Sequence, residues 1–187
     1  MARFVNDQQT TDKEVKRLFS AGVLLLLGKA YSDAYSCFDR IHEEHFEAMY
    51  NKALCCFMVK WYDECYRLLC EAERLLHGMD IAYETQLPEA FLRYDYDEDF
   101  PFYPIPQGIP VFGAYKQLLR LKAETAFRLH LYSEVKAISA RLGGKYKCIE
   151  KLIDLTYIIH SGFISGYQNR YGDNLKPPTN VYHRMTA

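Results

Sequence analysis

The chain has 187 residues, 49 % of them hydrophobic and 15 % aromatic, and a formal net charge of -1. That length suits one domain with its own core, and the apolar fraction excludes a disordered chain. A net charge near zero offers no general attraction to polyanions, which argues against a nucleic acid or an acidic membrane as partner.

Residues Met1–Thr11 form a polar, frayed end without a signal peptide. The longest apolar run nearby, Val23–Leu27, is far short of the roughly 20 residues that span a bilayer. Thr11 or Asp12 caps a helix predicted to run to about Leu27, with Val15, Leu18, Phe19, Gly22, Leu25 and Leu26 inward. Gly28-Lys29 makes a turn into a second helix over about Ser32–Ile41, with Tyr31, Ala34, Phe38 and Ile41 on its stripe. After the loop Glu43–His45 comes the fullest pattern in the chain, Phe46–Leu76. Met49, Ala53, Cys56 and Phe57 share one helical face; Tyr62, Cys65, Leu69, Ala72 and Leu76 share another beyond a turn at Lys60-Trp61. Apolar steps of three and four residues are the mark of a helix burying one side.

An insert follows, Gly78–Gly113, in which Pro101, Pro104, Pro106 and Pro110 forbid a continuous helix. Glu84–Tyr94 has room for one short helix, and the dense aromatics predict an insert packed on the helical face. From His77 to Gly113 seven acids meet one base, and from Ala114 to Lys151 nine bases meet three acids, so the two stretches can neutralise each other. A third hairpin begins near Ala114, and a last helix covers about Lys145–Ser161, with Cys148, Leu152, Leu155, Ile158 and Ile159 apolar. The predicted organisation is one domain over residues 1–166 and an extended or disordered tail over 167–187.

The hairpins repeat in register. Leu18, Gly22, Leu25, Tyr31, Ala34, Phe38 and Ile41 recur 31 residues later as Met49, Ala53, Cys56, Tyr62, Cys65, Leu69 and Ala72. Seventy residues beyond those stand Leu119, Ala123, Ala126, Tyr132, Val135, Ser139 and Leu142. Lys52-Ala53 with Phe57 and Tyr62 matches Lys122-Ala123 with Phe127 and Tyr132. This pattern resembles the tetratricopeptide repeat family, in which a large apolar residue, a small one four further on and then an aromatic recur about every 34 residues. Gly22, Ala53 and Ala123 stand at the small position, where two helices approach closely. The likeness covers about residues 12–76 and 114–145 and departs from the family at Leu18, Met49 and Leu119, where the family has Trp, and in lacking the proline that ends each repeat. The resemblance implies an all-α, right-handed stack of antiparallel helical hairpins (a TPR-like solenoid), interrupted by the irregular aromatic and proline-rich insert and closed by a C-terminal capping helix.

Catalytic and metal chemistry find little support. The order His42-Glu43-Glu44-His45 is wrong for a zinc helix and falls in a turn. Asp95, Asp97, Glu98 and Asp99 lack the glycine turn and distal acid of a calcium loop. The six cysteines, Cys37, Cys55, Cys56, Cys65, Cys70 and Cys148, contain no C-x-x-C pair and read as buried small hydrophobes in a reducing compartment, by default the cytoplasm. No phosphate-cradling glycine loop is present. No metal, cofactor or catalytic group is predicted, and an enzyme is not expected.

The candidate that remains is a groove. In the family the first helices of the hairpins line a concave face that holds an extended peptide or a partner helix. The resemblance puts Lys16, Phe19, Ser20 and Val23 there, then Tyr50, Asn51, Leu54 and Phe57, then Gln117, Arg120, Glu124, Phe127 and Arg128. Rings supply contact area; Asn51 and Arg120 offer hydrogen bonds to a backbone or carboxylate. Asn51 matches one asparagine of the family's carboxylate clamp, but the accompanying lysines and second asparagine do not line up, so capture of a C-terminal carboxylate is not predicted. The expected role is protein–protein interaction: an adaptor, assembly factor or chaperone-like holder of a protein or peptide, whose groove the insert gates, occupies or covers. A small-ligand binder or enzyme with a pocket near Asp95, Asp97, Tyr103 and Arg128, and a structural subunit docking through insert or tail, stay open as alternatives.

Overall fold

The computed structural model describes residues 12–41, 45–77, 102–144, 146 and 148–159. All regular structure among them is α-helical. The helices are α1 (Asp12–Leu27), α2 (Tyr31–Asp39), α3 (Phe46–Met58), α4 (Tyr62–His77), α5 (Val111–Arg128) and α6 (Tyr132–Arg141), followed by α7 over residues 148–159. Several sequence expectations lie outside the described residues: the Thr11 cap, the His42–Glu44 turn, the Glu84–Tyr94 helix, the acids Asp95–Asp99 and the tail 167–187.

The described residues fall into two compact units. One holds α1–α4, the segment 103–110 and the first turns of α5 to Leu118; the other holds α5 from Leu119, with α6 and α7. In the first unit α1 packs on α2, α2 on α3 and α3 on α4. Ala34, Phe38, Ala53, Cys65, Leu68, Leu69, Ala72 and Leu76 are buried there, each large aliphatic side chain contributing about 1.5–3 kcal/mol by leaving water. Gly22 is small because Phe38 demands it: a Cβ on Gly22 would stand 2.7 Å from the Phe38 ring. In the second unit Ala123, Ala126, Val135, Ile138, Ile149 and Leu152 are buried. The Ser139 hydroxyl donates to the Glu150 carboxylate across α6 and α7.

The three hairpin turns are copies of one another. Lys29, Lys60 and His130 all take positive φ, at 63°, 65° and 61°. In each turn the N–H of that residue reaches the carbonyl three back (Leu26, Phe57, Phe127). The next N–H reaches the carbonyl five back (Leu25, Cys56, Ala126). That pair of bonds satisfies two of the last carbonyls of the first helix. The second helix starts without a side-chain cap at Ala30 or Leu131. The positive-φ residues keep the spacings of 31 and 70 found in the apolar stripes.

One boundary and one buried face differ from the sequence reading. Helix α5 begins at Val111, three residues before Ala114. Pro110 stands at its entrance, and its carbonyl accepts from Ala114 N–H; proline lacks only an N–H that no first-turn residue needs. In α7 the buried residues are Ile149, Leu152 and Thr156, while Leu155, Ile158 and Ile159 are exposed. The buried stripe is thus turned about one residue, some 100°, from the predicted one. Thr156 is tolerated inside because its hydroxyl donates to the Ile153 carbonyl.

Candidate functional site

Helix α3 is buried on almost every side: Phe46, Ala48, Met49, Tyr50, Asn51, Ala53, Leu54, Cys55 and Cys56 are all enclosed. An amide in such a run must find partners, since a buried polar group left without them costs about 1–3 kcal/mol. Asn51 finds them in the insert. Its Nδ2 donates to the Ile105 carbonyl at 2.9 Å, and the Ile105 N–H donates to Oδ1 at 2.9 Å. One helical turn earlier on α3, Glu47 Oε1 accepts from the Gly108 N–H at 3.1 Å. Residues four apart lie on the same helix face, so Glu47 and Asn51 read one backbone segment together.

The segment that they hold is not helical. Pro104 and Pro106 fix φ near about −65° and push the residues before them, Tyr103 and Ile105, toward extended backbone. Gly108, at φ 72°, turns the chain back toward α5, a conformation that glycine adopts without strain. Ile105 is only 3 % exposed, whereas Tyr103 is 49 % exposed and Pro106 also faces outward. The contact is therefore one buried aliphatic anchor, a two-point amide bond to its own backbone, and a third bond at the turn. Chemically it is a helix face bonded to the backbone of a non-helical segment of the same chain.

A comparison of the chain with protein-family models, with curated proteins and with solved structures finds no match in any of the three.

Several of the other residues assigned to the groove take part in packing the hairpins. Phe19 stacks edge-on to Phe38 at 5.6 Å, and Tyr50 and Leu54 are fully buried. Phe57 meets Tyr62 at 5.6 Å, and Phe127 meets Tyr132 at 5.8 Å. Val23 and Gln117 are half-buried; Lys16 and Ser20 are exposed. In the second unit Glu124 pairs with Arg128 at 2.8 Å, and half-buried Arg120 lies over the Tyr146 ring at 5.9 Å. Of the assigned set, Asn51 is the residue whose hydrogen bonds tie its helix to the described part of the insert. Glu47, Ile105 and Gly108 escaped the sequence reading. The signals for them were an amide within an apolar helix and the Pro-Ile-Pro triplet.

A second feature is a recess of about 230 Å³ lined by Tyr31, Tyr35, Cys55, Cys56, Val59 and Trp61, with two serines. Burial pushes the Cys55 and Cys56 thiols up to about 12, helped by Cys56 in the first case and Glu64 in the second. Both stay neutral near pH 7, and a thiol is a nucleophile only as thiolate. Among the described residues, no Asp, Glu, His, Lys or Arg lines the recess. Nearby, Lys52 pairs with Asp39 and lies over Tyr35. Its burial alone would lower its pKa, but the bond to Asp39 and the proximity of Tyr35 outweigh this and raise it. Among the described residues no three His, Cys, Asp or Glu side chains group as metal ligands, and no helix is long and apolar enough to cross a membrane.

Proposed function

We propose that this chain is a protein-interaction module of the tetratricopeptide-like kind, a right-handed stack of helical hairpins whose first helices receive an extended segment of a partner protein. The observation that carries the reading is the Asn51 clamp: a buried side-chain amide on α3 bonded to both backbone groups of one residue in a non-helical segment. Such a clamp binds backbone, so it takes a peptide in preference to a folded surface or a small metabolite. The recurring hairpin turns at Lys29, Lys60 and His130 support the stack. Burial keeps the Cys55 and Cys56 thiols of the recess neutral near pH 7, which suits a packing role for them. Six cysteines with no disulfide among them suit a reducing compartment, which we take to be the cytoplasm. The module would then serve as an adaptor, assembly factor or chaperone-like holder.

The test is affinity purification from the native host, with each recovered protein then bound directly to the purified chain. Asn51→Leu is expected to weaken a true partner by about tenfold or more, the loss of a hydrogen-bonded backbone contact. Leu24→Ser, at a site 69 % exposed on α1, serves as the control and is expected to leave it unchanged. Partners that all bind the folded Asn51→Leu chain as tightly as wild type would sink the reading.

A further inference from the structure

Within the triplet Pro104-Ile105-Pro106 only Ile105 has an N–H, because proline has none. Asn51 takes that N–H and returns a bond to the carbonyl of the same residue. Sliding the segment by one residue in either direction would set a proline nitrogen against Oδ1 and leave a buried oxygen without its donor. The two prolines therefore fix the register, and the buried Ile105 side chain fixes the depth. Glu47 then checks the geometry three residues on, through the Gly108 N–H. None of these contacts needs the segment to be covalently joined to α3: an aliphatic side chain, one amide and two flanking prolines would be read the same way from another chain.

We propose that Tyr103–Pro110 is a resident occupant of the α3 site, and that the site's external ligand is an extended partner segment of the same chemistry, proline–aliphatic–proline with the aliphatic residue on Asn51. This rests on the peptide-binding reading above and names its ligand. The resident segment, tethered at high effective concentration, holds the site closed until a partner segment displaces it. Proline flanks suit such a ligand because they hold it near the bound conformation beforehand and reduce the entropy lost on binding.

The test uses the full chain and a fluorescein-labelled peptide of Tyr103–Pro110, with binding read by fluorescence anisotropy. Ile105→Asp removes the resident anchor but keeps the clamp. It is expected to bind the peptide at least about tenfold more tightly than wild type does, since the tethered competitor is gone. A peptide with proline in place of its clamped isoleucine is expected to bind at least about tenfold more weakly than the parent peptide. Adding Asn51→Leu to Ile105→Asp is expected to abolish binding. Gly108→Val provides a second route: nothing lies within 4 Å of a Cβ at Gly108, so only the strained φ of 72° loosens the segment, without disturbing the core. It keeps the test decisive if circular dichroism finds Ile105→Asp unfolded. Equal peptide affinity for wild type and the loosened variants, no binding to any folded variant, or binding indifferent to Asn51 each overturns the proposal. If a host partner still needs Asn51 while the peptide fails, the resident-ligand inference falls and the peptide-binding reading stands.

Discussion

The hairpins α3–α4 and α5–α6 share a register of 70 residues and differ most instructively at one buried position. Asn51 on α3 corresponds to Leu121 on α5, and both are 0 % exposed. Around them the likeness is close. Lys52 and Lys122 each make an ion pair, Ala53 and Ala123 are both fully buried, and the Phe57–Tyr62 and Phe127–Tyr132 ring pairs have centroids 5.6 Å and 5.8 Å apart. A repeat can thus keep its hairpin while one residue decides whether that position binds backbone. A buried leucine has no polar group to satisfy; a buried asparagine has two, and Ile105 satisfies both. The Lys partners differ as well, Asp39 before the hairpin for Lys52 and Glu134 within it for Lys122, so charge pairing follows the local neighbour and not the repeat.

Exchanging the two residues separates these roles. Leu121→Asn forfeits a buried aliphatic side chain and encloses an amide with no built partner, a loss of about 4 kcal/mol. Asn51→Leu gains apolar burial but strips the Ile105 N–H and carbonyl of their partners, for a net loss of about 2 kcal/mol. Urea denaturation measures both. Hydrogen exchange adds the discriminating readout: the Ile105 amide is expected to lose its protection in Asn51→Leu and keep it in Leu121→Asn. Equal protection of Ile105 in wild type and Asn51→Leu would remove the clamp from the account.

The same comparison explains what could be read from the sequence. The hairpins were legible because each stripe returns every three or four residues, and α1 runs over Asp12–Leu27 as that stripe predicts. Asn51 was legible as a residue to examine. Its partner was not, because Ile105 lies 54 residues away in a segment with no periodicity. Tyr50 and Leu54 were assigned to an open face, yet both are enclosed. Helix α3 has neighbours on more sides than one stripe implies, namely α2, α4 and the segment held by Asn51. In α7 the apolar residues Leu155, Ile158 and Ile159 suggested the wrong face, since apolar type alone does not reveal which side is covered.

A pH series sharpens the contrast next. Where α3 carries Cys55 and Cys56, α5 carries Thr125 and Ala126, which do not titrate. The folded thiols sit at about 12, above the ordinary value of about 8.5. Groups raised on folding contribute stability that is complete below the unfolded value and is lost as pH climbs toward the folded one. At pH 9.5 the unfolded chain sheds both protons while the folded chain keeps them, a loss of about 1 kcal/mol for each thiol relative to pH 7. Tyr35 and Lys52 are also raised, but from ordinary values of about 10, so at pH 9.5 each contributes less than either thiol. Giving α3 the α5 residues, Cys55→Thr with Cys56→Ala, is expected to flatten the urea midpoint between pH 7 and 9.5. An unchanged slope would mean that other groups set the alkaline limb.

The small position contrasts the hairpins further. Gly22→Ala would give α1 the residue that α3 and α5 carry there, and glycine-to-alanine in a helix interior normally stabilises by about 1 kcal/mol. Here the added Cβ meets Phe38, whose ring is 1 % exposed and already stacked on Phe19. Overpacking of about 2 kcal/mol outweighs the gain, for a net loss of about 1 kcal/mol by urea denaturation. Gly22→Ala with Phe38→Leu is expected to recover part of that relative to Phe38→Leu alone, because the ring and not the helix resists the alanine. A stabilised Gly22→Ala single variant would show that α1 and α2 yield at this crossing.

The smallest effect should be the most uniform. Lys29, Lys60 and His130 place side chains in left-handed backbone at equivalent points of their turns, while after α6 the same role falls to Gly143, at φ 73°, whose N–H reaches Ala140. A left-handed non-glycine residue costs roughly 1 kcal/mol, which glycine avoids, although glycine also gives the unfolded chain more freedom. The balance leaves each of Lys29→Gly, Lys60→Gly and His130→Gly more stable by about 0.5 kcal/mol, read as a small rise in Tm. His130 has one tie that the lysines lack, an Nδ1 contact to the Tyr132 hydroxyl at 2.8 Å, so its gain should be the least of the three. Equal gains at all three turns would mean that this contact contributes nothing and that backbone strain alone sets the turn. A loss confined to His130→Gly would make the ring contact, present at one turn and missing from its copies, the stronger term.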